Sequence, residues 1–266
     1  MSQEPTHFDL IVIGGGPGGY ASALYGSAAG MNVALVEMAK IGGTCLHVGC
    51  IPAKELLETA SVLRTVREAE EFGVITSEPT LNLAKTMERK QGVINQLTKG
   101  VESLLEGRKV TVFNGIGSLM PNREVKIQGI DNSENIINGD HVILASGSKP
   151  RTIPGFEIDG HKILTSDELL SLDKVPESVA IIGGGAIGVE FASALNDFGS
   201  SVTIIEALPD ILAGCDKDLS KTVSRSFKKR GINIVTGSTV KGHTKKEDTV
   251  TLHLESEDID VEKVVI

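Results

Sequence analysis

The chain has 266 residues, of which 40% are hydrophobic and 23% are charged, and its formal net charge is -9. This length favours two domains over one hydrophobic core, and the acidic balance gives no electrostatic reason to expect a nucleic-acid partner. No apolar run approaches the roughly 20 residues of a membrane span, and the N-terminus lacks a signal-peptide pattern. We therefore expect a cytoplasmic protein with neither nucleic-acid nor membrane partners.

The N-terminal segment predicts a strand, a glycine turn, a helix, a second strand and an acid. An apolar run over 8–13 enters the turn that holds Gly14, Gly16 and Gly19, a helical stretch follows over 20–29, and the second strand ends at Glu37. In a dinucleotide-binding turn the first glycine permits the tight turn and the second lets backbone approach a pyrophosphate. The third lets the helix pack on the strand.

Two cysteines, Cys45 and Cys50, follow directly after this module. Pro52 fits the first turn of a helix that begins near Cys50, which would place Lys54 one turn along on the same face. A helix N-terminus and an ammonium group both favour thiolate over thiol. The alternatives are a zinc site, for which His47 is a third ligand without a fourth, and two buried structural thiols. The position after a dinucleotide-binding loop favours a redox role.

The middle of the chain predicts one long helix and then short strands. Between residues 59 and 107 apolar side chains recur near helical spacing, and Gly107 follows as a stop. We expect this amphipathic helix to pack on a sheet. Three strand patterns separated by glycine and asparagine turns come next, and Pro150 and Pro154 mark a linker. These features predict a first domain over 1–150 and a second over 151–266.

The second half repeats the first with one ungapped shift. Gly183, Gly185 and Gly188 lie 169 positions after the three glycines of the first turn, and Glu206 lies 169 positions after Glu37. Two such turns in register predict an α/β protein with two Rossmann-like, three-layer dinucleotide-binding domains, each with a β-meander insertion. Both acids are placed to accept a ribose diol, although ordinary strand-ending acids are the alternative. A 2′-phosphate would meet the charge of Glu206, so we expect NAD over NADP.

The C-terminal pattern predicts an incomplete second domain. The last apolar run, VEKVVI, matches the run that leads into Ala-Ser-Gly in the first half, but it stops at Ile266 without a turn. A buried strand is a poor place for a natural chain to end. We therefore expect that the chain is C-terminally truncated.

The segment over 42–57, GGTCLHVGCIPAKELL, resembles the active-site segment of flavin-dependent pyridine nucleotide-disulfide oxidoreductases, and it is most similar to the dihydrolipoamide dehydrogenase branch. The resemblance extends over essentially the whole chain, through VIGGGPGGY, HVILASGSKP and IIGGGAIGVEFA. It implies that the last FAD-binding motif, the dimerisation domain and a His-Glu acid/base dyad are missing. We therefore expect a homodimer only for a full-length chain, and we do not expect full activity from this chain alone.

The resemblance also implies the roles of individual residues. Cys45 would exchange with the substrate dithiol, Cys50 would face the flavin, and Lys54 and Glu190 would lie beside the reactive nitrogen of the flavin. The implied FAD-binding residues are Gly14, Gly16, Gly19, Glu37, Lys54, Gly117, Ser146 and Gly147. The implied NAD-binding residues are Gly183, Gly185, Gly188, Glu206 and Val240. The sequence departs from the family pattern at Ala53, Glu55 and Ser146.

The implied reaction is oxidation of a protein-bound dihydrolipoamide through a Cys45–Cys50 disulfide and FAD, with reduction of NAD. The partner would be the lipoyl domain of a 2-oxoacid dehydrogenase complex, and the role would belong to cell redox homeostasis. No resident metal is expected. Two alternatives stay open at this point: a related flavin disulfide reductase such as mercuric reductase, and a nucleotide-binding fragment without turnover.

Overall fold

The structure is a computed structural model that describes residues 6–266. The chain forms two compact units. The first runs to Pro52 and resumes over Gln91–Lys149, and the second comprises Ala53–Lys90 and Pro150–Ile266. Residues 53–90 thus belong with the C-terminal unit, which no local sequence pattern indicates. The assignment of an FAD-binding and a NAD-binding domain divided near residue 150 remains a proposal.

The first unit is built on five strands whose pairings close into a ring. The elements up to residue 144 are β1 (Thr6–Ile13), α1 (Pro17–Ala28), β2 (Val33–Glu37), α2 (Gly43–His47), α3 (Cys50–Arg67), α4 (Leu83–Gly107), β3 (Thr111–Leu119), β4 (Glu124–Gly129) and β5 (Glu134–Leu144). Parallel strands β1 and β2 lie side by side, β2 pairs in parallel with β3, and β1 pairs in parallel with β5. Antiparallel β4 joins β3 to β5 and completes the ring.

The ring closes because β3 and β5 each pair with a parallel strand on one side and with antiparallel β4 on the other. Ile137 of β5 pairs with Val125 of β4 and also with Thr6 of β1. The predicted meander of the first unit is therefore continuous with its parallel strands instead of standing apart as an insertion. The three predicted strand patterns correspond to β3, β4 and the last part of β5, which begins earlier than its apolar pattern predicts.

Side chains of alternate residues fill the two faces of the central strands. Ile11 and Ile13 point into the ring beside Phe8 and Val125, while Leu10 and its neighbours face α1 and the end of α4. Every residue of β2 is buried. Burial on both faces explains the continuous aliphatic runs of these strands.

The second unit has a five-stranded parallel sheet and a separate three-stranded antiparallel sheet. The elements are β6 (Ile163–Leu164), α5 (Ser166–Leu169), β7 (Ser178–Ile182), α6 (Ala186–Phe198), β8 (Ser201–Glu206), α7 (Lys217–Lys229), β9 (Asn233–Thr236), β10 (Gly242–Lys245), β11 (Val250–His253), β12 (Asp258–Val261) and β13 (Lys263–Val265). The parallel sheet has the order β6-β13-β7-β8-β9, and the meander has the order β10-β11-β12. The mixed α/β architecture is therefore confirmed.

The second parallel sheet is also covered on both faces. Val179 and Ile181 face α6, α7 and the part of α3 that includes Leu56. Ala180 and the opposite face contact the meander through buried side chains such as Leu252. The last strand, β13, lies between β6 and β7, so the segment predicted as a buried strand is confirmed as an interior strand.

The predicted long helix is confirmed as α4, over Leu83–Gly107. Ile94 and Leu105 on its apolar face are buried, whereas Leu97 and Leu104 are exposed. The expectation that this face packs on a sheet therefore holds for only part of its length. Among residues 6–266 no helix has both the length and the apolar character that a bilayer span requires.

The carboxylate of Asp159 holds together the loop before β6. The Asp159 carboxylate accepts hydrogen bonds from the backbone N–H groups of His161, Lys162 and Ile163 at 2.8–2.9 Å and from Lys245 Nζ at 2.6 Å. Partial burial alone would raise the pKa of Asp159, but these four donors together hold it well below its usual range.

We predict that Asp159→Asn destabilises the second unit by about 1–3 kcal/mol at pH 7, because the amide cannot replace a charged acceptor. Since the native pKa lies below the unfolded one, the wild-type advantage is fully present above about pH 3.9 and shrinks as the pH falls below that value. Urea unfolding followed by circular dichroism at pH 7 and pH 3 measures the difference.

The matched control is Asp248→Asn, because Asp248 is exposed and the substitution makes the same charge change. The control should unfold like the parent at both pH values. An Asp159→Asn variant with the same free energy of unfolding as the parent at pH 7 would contradict the stabilising role of this carboxylate.

Candidate functional site

The first glycine of each fingerprint turn adopts a backbone conformation that favours glycine. Gly14 has φ +107° and Gly183 has φ +117°. The N–H of Gly14 donates to the carbonyl of Val36, and the N–H of Gly183 donates to the carbonyl of Ile205, both at 2.8 Å. Each turn is therefore fixed to the neighbouring strand at the point where the chain leaves the sheet.

The third glycine of each turn is required by close packing. A Cβ at Gly19 would overlap the carbonyl oxygen of Gly14, and a Cβ at Gly188 would overlap the carbonyl oxygen of Gly183. These two glycines let α1 and α6 approach their strands, as the sequence pattern predicts.

The second glycine of each turn is not required by the packing of the protein itself. A Cβ at Gly16 would have its nearest neighbour at 3.9 Å, the Cα of Gly43, and a Cβ at Gly185 would meet no atom of residues 6–266 within 4 Å. Both residues are the N-caps of their helices, and neither cap has a side-chain hydrogen bond. The open space and the helix N–H groups fit a pyrophosphate that approaches the backbone closely.

The two strand-ending acids hold equivalent positions. Oε2 of Glu37 accepts from the N–H of Gly15 at 2.5 Å, and Oε2 of Glu206 accepts from the N–H of Gly184 at 2.7 Å. The other oxygen of each carboxylate accepts from the backbone two residues later, at 2.7 and 2.8 Å. Both carboxylates are thus held beside their glycine turns, and their remaining lone pairs can accept the hydroxyl groups of a ribose.

The segment that carries the cysteines is attached to the first glycine turn. The N–H of Gly42 donates to the carbonyl of Gly15 at 2.8 Å. Gly43 lies against Gly16 so closely that its Cβ would come within 2.6 Å of the Gly16 Cα. Both Gly42 and Gly43 have positive φ angles. The glycine pair before Cys45 is therefore explained by contact with the fingerprint turn.

The second unit repeats this attachment with one cysteine, Cys215, instead of a pair. Leu212 has φ +54°, and its N–H donates to the carbonyl of Gly184 at 2.7 Å. Ile41 and Ile211 are buried at the equivalent place beside the turn. The offset here is 170 positions, one more than in the glycine turns, so an ungapped comparison of the two halves misses the equivalence.

The cysteines lie on two consecutive helices. Cys45 is half-buried on α2, and α3 begins at Cys50, which is exposed. His47 ends α2, and its Nε2 donates to the carbonyl of Ile41 at 2.8 Å. The helix start at Cys50 and Lys54 one turn later match the predicted local geometry. The redox pairing and the separate roles of the two thiols stay predictions.

The structure brings Lys54 and Glu190 together. Lys54 Nζ lies 2.6 Å from Glu190 Oε1, and the side chains are 57% and 35% exposed. The two residues are 136 positions apart in the chain, so only the resemblance to the family connects them in sequence analysis. Their predicted place beside a flavin remains a proposal.

The other predicted binding residues have varied surroundings. Gly117 on β3 packs so that a Cβ would come within 3.1 Å of the side chains of Ile13 and Val36. Ser146 and Gly147 are exposed just after β5, and Val240 packs against the apolar cluster of the meander. Packing alone explains glycine at position 117, and the cofactor contacts of all four residues stay predictions. No group of three or more potential metal ligands occurs within residues 6–266.

We predict that alanine at two glycines of the second turn separates folding from ligand binding. Gly188→Ala should destabilise the second unit by about 1–3 kcal/mol or more, because its Cβ overlaps a backbone carbonyl. Gly185→Ala should stay within about 1 kcal/mol of the parent and lose about tenfold or more in NADH affinity, because its Cβ fills the approach to the backbone. Thermal unfolding and NADH fluorescence titration measure the two effects.

The control is Gly242→Ala, since a Cβ at this strand residue would meet no described atom within 4 Å. It should change neither stability nor NADH affinity much. Unchanged NADH binding by Gly185→Ala would contradict the assignment of this glycine to a pyrophosphate site.

Comparison with protein families places this geometry in a known context. A family model described as pyridine nucleotide-disulphide oxidoreductase matches residues 8–266. The dihydrolipoyl dehydrogenase of Bacillus subtilis (strain 168) is 41% identical over 262 residues, which cover 95% of this chain and 55% of that protein. The dihydrolipoyl dehydrogenase of Chlorobaculum parvum is 43% identical over 233 residues, covering 88% of this chain and 50% of the relative. The chain therefore spans about half the length of the curated relatives it matches.

Solved structures agree with this context. The HOCl-induced flavoprotein disulfide reductase RclA from Escherichia coli, in its Cu(II) complex, gives a TM-score of 0.83 at 27% identity, covering 98% of this chain and 56% of that one. LpdA from Mycobacterium tuberculosis gives a TM-score of 0.89 over 98% of this chain and 57% of that one. At 24% identity LpdA supports the fold alone. Since the family model matches nearly the whole chain, the chain belongs to the pyridine nucleotide-disulphide oxidoreductase family.

Proposed function

We propose that this chain supplies the two nucleotide-binding units and the redox-active cysteine pair of a dihydrolipoamide dehydrogenase, with FAD bound in the first unit and NAD in the second. The observation that carries the proposal is the attachment of the cysteine segment to the first glycine turn, through Gly42 and Gly43. Relatives at about 40% identity support the same activity. The activity of the whole protein is proposed on this basis.

The first unit is the proposed FAD site. Its turn leaves open space at Gly16, its acid Glu37 is held beside the turn, and the cysteine segment is fixed to the same turn. When bound, FAD supplies a two-electron acceptor for the cysteine pair and a hydride donor for NAD. The segment after the second strand carries two cysteines in the first unit, whereas the corresponding segment of the second unit carries Cys215 alone. This difference assigns FAD to the first unit and NAD to the second.

The cysteine pair is the proposed exchange site for a substrate dithiol. One substrate thiolate attacks Sγ of Cys45 in the oxidised pair, the bond between Cys45 and Cys50 breaks, and Cys50 leaves as a thiolate. The second substrate thiol then displaces Cys45 from the mixed disulfide. The substrate is oxidised to a disulfide, the pair is reduced to a dithiol, and two electrons pass to the protein.

The charges near the pair suit a thiolate. α3 begins at Cys50, so its N-terminal N–H groups are nearby, and Lys54 follows one turn later. Lys54 is held by Glu190. As in the sequence interpretation, the partner is proposed to be the lipoyl domain of a 2-oxoacid dehydrogenase complex, acting with a full-length homodimer in the cytoplasm.

We predict that FAD-loaded chain, after one equivalent of dithiothreitol under anaerobic conditions, develops a long-wavelength absorbance band that reports a thiolate beside oxidised flavin. Cys50→Ser should bind FAD but lack the band, because the thiolate is lost. Cys45→Ser should show the band without reductant, because Cys50 can no longer be held in a disulfide with it. Absorbance spectra recorded across the pH range measure all three proteins.

The matched control is Cys215→Ser, which removes an exposed thiol of the second unit and should behave as the parent. FAD binding without the band in either the parent or Cys45→Ser would contradict the role given to Cys50. Failure of the parent to bind added FAD would contradict the proposal for this chain.

We predict that the second unit prefers NADH over NADPH because of Glu206. The carboxylate accepts ribose hydroxyl groups and repels a 2′-phosphate. Glu206→Gln should lose about tenfold or more in NADH affinity, since a hydrogen bond to a charged group is worth about 1.5–3 kcal/mol. The same change should narrow the gap between NADH and NADPH, which fluorescence titration of both nucleotides measures.

The control is Glu257→Gln, an exposed residue in the meander with the same charge change. It should leave both affinities near those of the parent. A Glu206→Gln variant with an unchanged ratio of NADH affinity to NADPH affinity would contradict the role of this carboxylate in selectivity.

A further inference from the structure

Two groups of ion pairs join α3 to α6 in the second unit. Near the start of α3, Lys54 pairs with Glu190, and near its end Arg64 Nη1 lies 2.5 Å from Asp197 Oδ2. Glu190 and Asp197 are seven residues apart on α6, which is two helical turns along nearly the same face. The two contacts therefore lie along one face of α6, and α3 runs beside that face.

The two ends of this arrangement differ in burial. The Lys54 and Glu190 side chains are 57% and 35% exposed, whereas Asp197 is only 7% exposed. An ion pair between exposed side chains is weak and does not by itself hold two helices in one geometry. A buried carboxylate with charged partners is costly to disrupt. The position of Lys54 beside Glu190 thus depends on contacts elsewhere along the helices.

Three arginines converge on Asp197. Besides Arg64, Arg230 Nη2 lies 2.8 Å from Asp197 Oδ1, and Arg67 Nη1 donates to the Asp197 carbonyl at 2.5 Å. Arg230 also donates to the hydroxyl and the carbonyl of Ser193 at 2.9 and 3.0 Å. These arginines line an open groove of about 740 Å³ between the ends of α3, α6 and α7.

Helix electrostatics argue against a role of Asp197 in stabilising its own helix. Asp197 is the second-last residue of α6, where the negative end of the helix dipole disfavours a carboxylate. The arginines offset this cost and satisfy carbonyl groups at the helix end. Asp197 is therefore explained by its contacts with other elements. It binds the C-terminal part of α3 and the start of the segment after α7.

Apolar side chains also pack between α3 and α6 near the Lys54–Glu190 pair. Ala53 and Leu56 of α3 belong to the same buried cluster as Val189 and Ala192 of α6. These contacts lie beside Lys54 and Glu190 in the chain. Because apolar burial is non-directional, the directional contacts at Asp197 are the ones that can define a single position of α3 along α6.

We propose that Asp197, with Arg64, Arg67 and Arg230, is a positioning residue that sets the register of α3 on α6 and thereby holds Lys54 against Glu190. The inference rests on the proposed function only for the chemical role of the Lys54–Glu190 pair. Asp197 itself touches neither cysteine segment nor glycine turn in the described contacts, so it acts through the helix it holds.

Carbodiimide cross-linking of the chain without FAD tests this register. The reagent joins a lysine to a carboxylate only where the two side chains are in contact, and mass spectrometry of the digest quantifies the Lys54–Glu190 product. In Asp197→Asn we expect this yield to fall about two- to fivefold. The Lys241–Glu255 pair, at 2.6 Å and with a lysine of similar exposure, is the internal control and should cross-link as in the parent.

Arg64→Met is the second variant, since it removes one charged partner of Asp197 and keeps an apolar stem of similar length. It should lower the Lys54–Glu190 yield in the same direction, and it keeps the test decisive if Asp197→Asn does not fold. Circular dichroism melting gives the temperature at which each variant begins to unfold, and cross-linking is done below that temperature.

A folded variant with parental Lys54–Glu190 yield would overturn the proposal, because Asp197 would then contribute to stability alone. Equal losses at both pairs would also overturn it, because they would show general loosening. Since FAD is absent from this experiment, failure of the parent chain to bind FAD would count against the proposed function and leave the cross-linking result unchanged.

Discussion

The hydrogen bond from the Gly42 N–H to the Gly15 carbonyl, with Gly43 packed on Gly16, links two chemistries in one place. One end of this contact is a glycine turn shaped for a pyrophosphate, and the other end begins the helix that carries Cys45. Side chains at Gly42 or Gly43 would meet Leu46 or the turn itself. The position of the cysteine segment beside the nucleotide turn therefore depends on two residues that have no side chain.

The second unit shows how the same framework serves another ligand. Its turn, its acid and the N–H contact at the turn recur, but Leu212 replaces Gly42 and a single cysteine, Cys215, follows instead of a pair. Leu212 adopts the left-handed conformation despite its side chain, so the backbone path is kept where the residue type is not. A repeated nucleotide-binding framework thus acquired redox chemistry, as we propose, by a change in one connecting segment.

Local patterns predicted the parts of the fold that depend on neighbouring residues. The glycine turns follow from φ angles and helix packing, and the long helix α4 follows from apolar spacing. The ring of strands in the first unit was not predicted, because Ile137 pairs with two strands at once and no local pattern encodes a second partner. The contacts of Asp197 were also missed, since a lone aspartate near a helix end gives no sign of arginines more than 100 residues before it.

Some site residues could likewise be predicted from local sequence, whereas others depend on contacts between distant parts of the chain. Gly16 and Gly185 could be assigned from spacing, and the structure shows open space at both. Lys54 and Glu190 needed a resemblance to known proteins, because their contact joins distant parts of the chain. Gly117 has a packing reason for being glycine, so its residue type alone does not distinguish a binding role from a structural one.

A crystal structure of the chain with FAD bound tests the central claim most directly, since it locates the flavin ring relative to the cysteines. We expect Cys50 Sγ within about 4 Å of the ring system, with the Gly42–Gly15 hydrogen bond kept. A flavin held at the first glycine turn with its ring remote from both Cys45 and Cys50 would contradict the account.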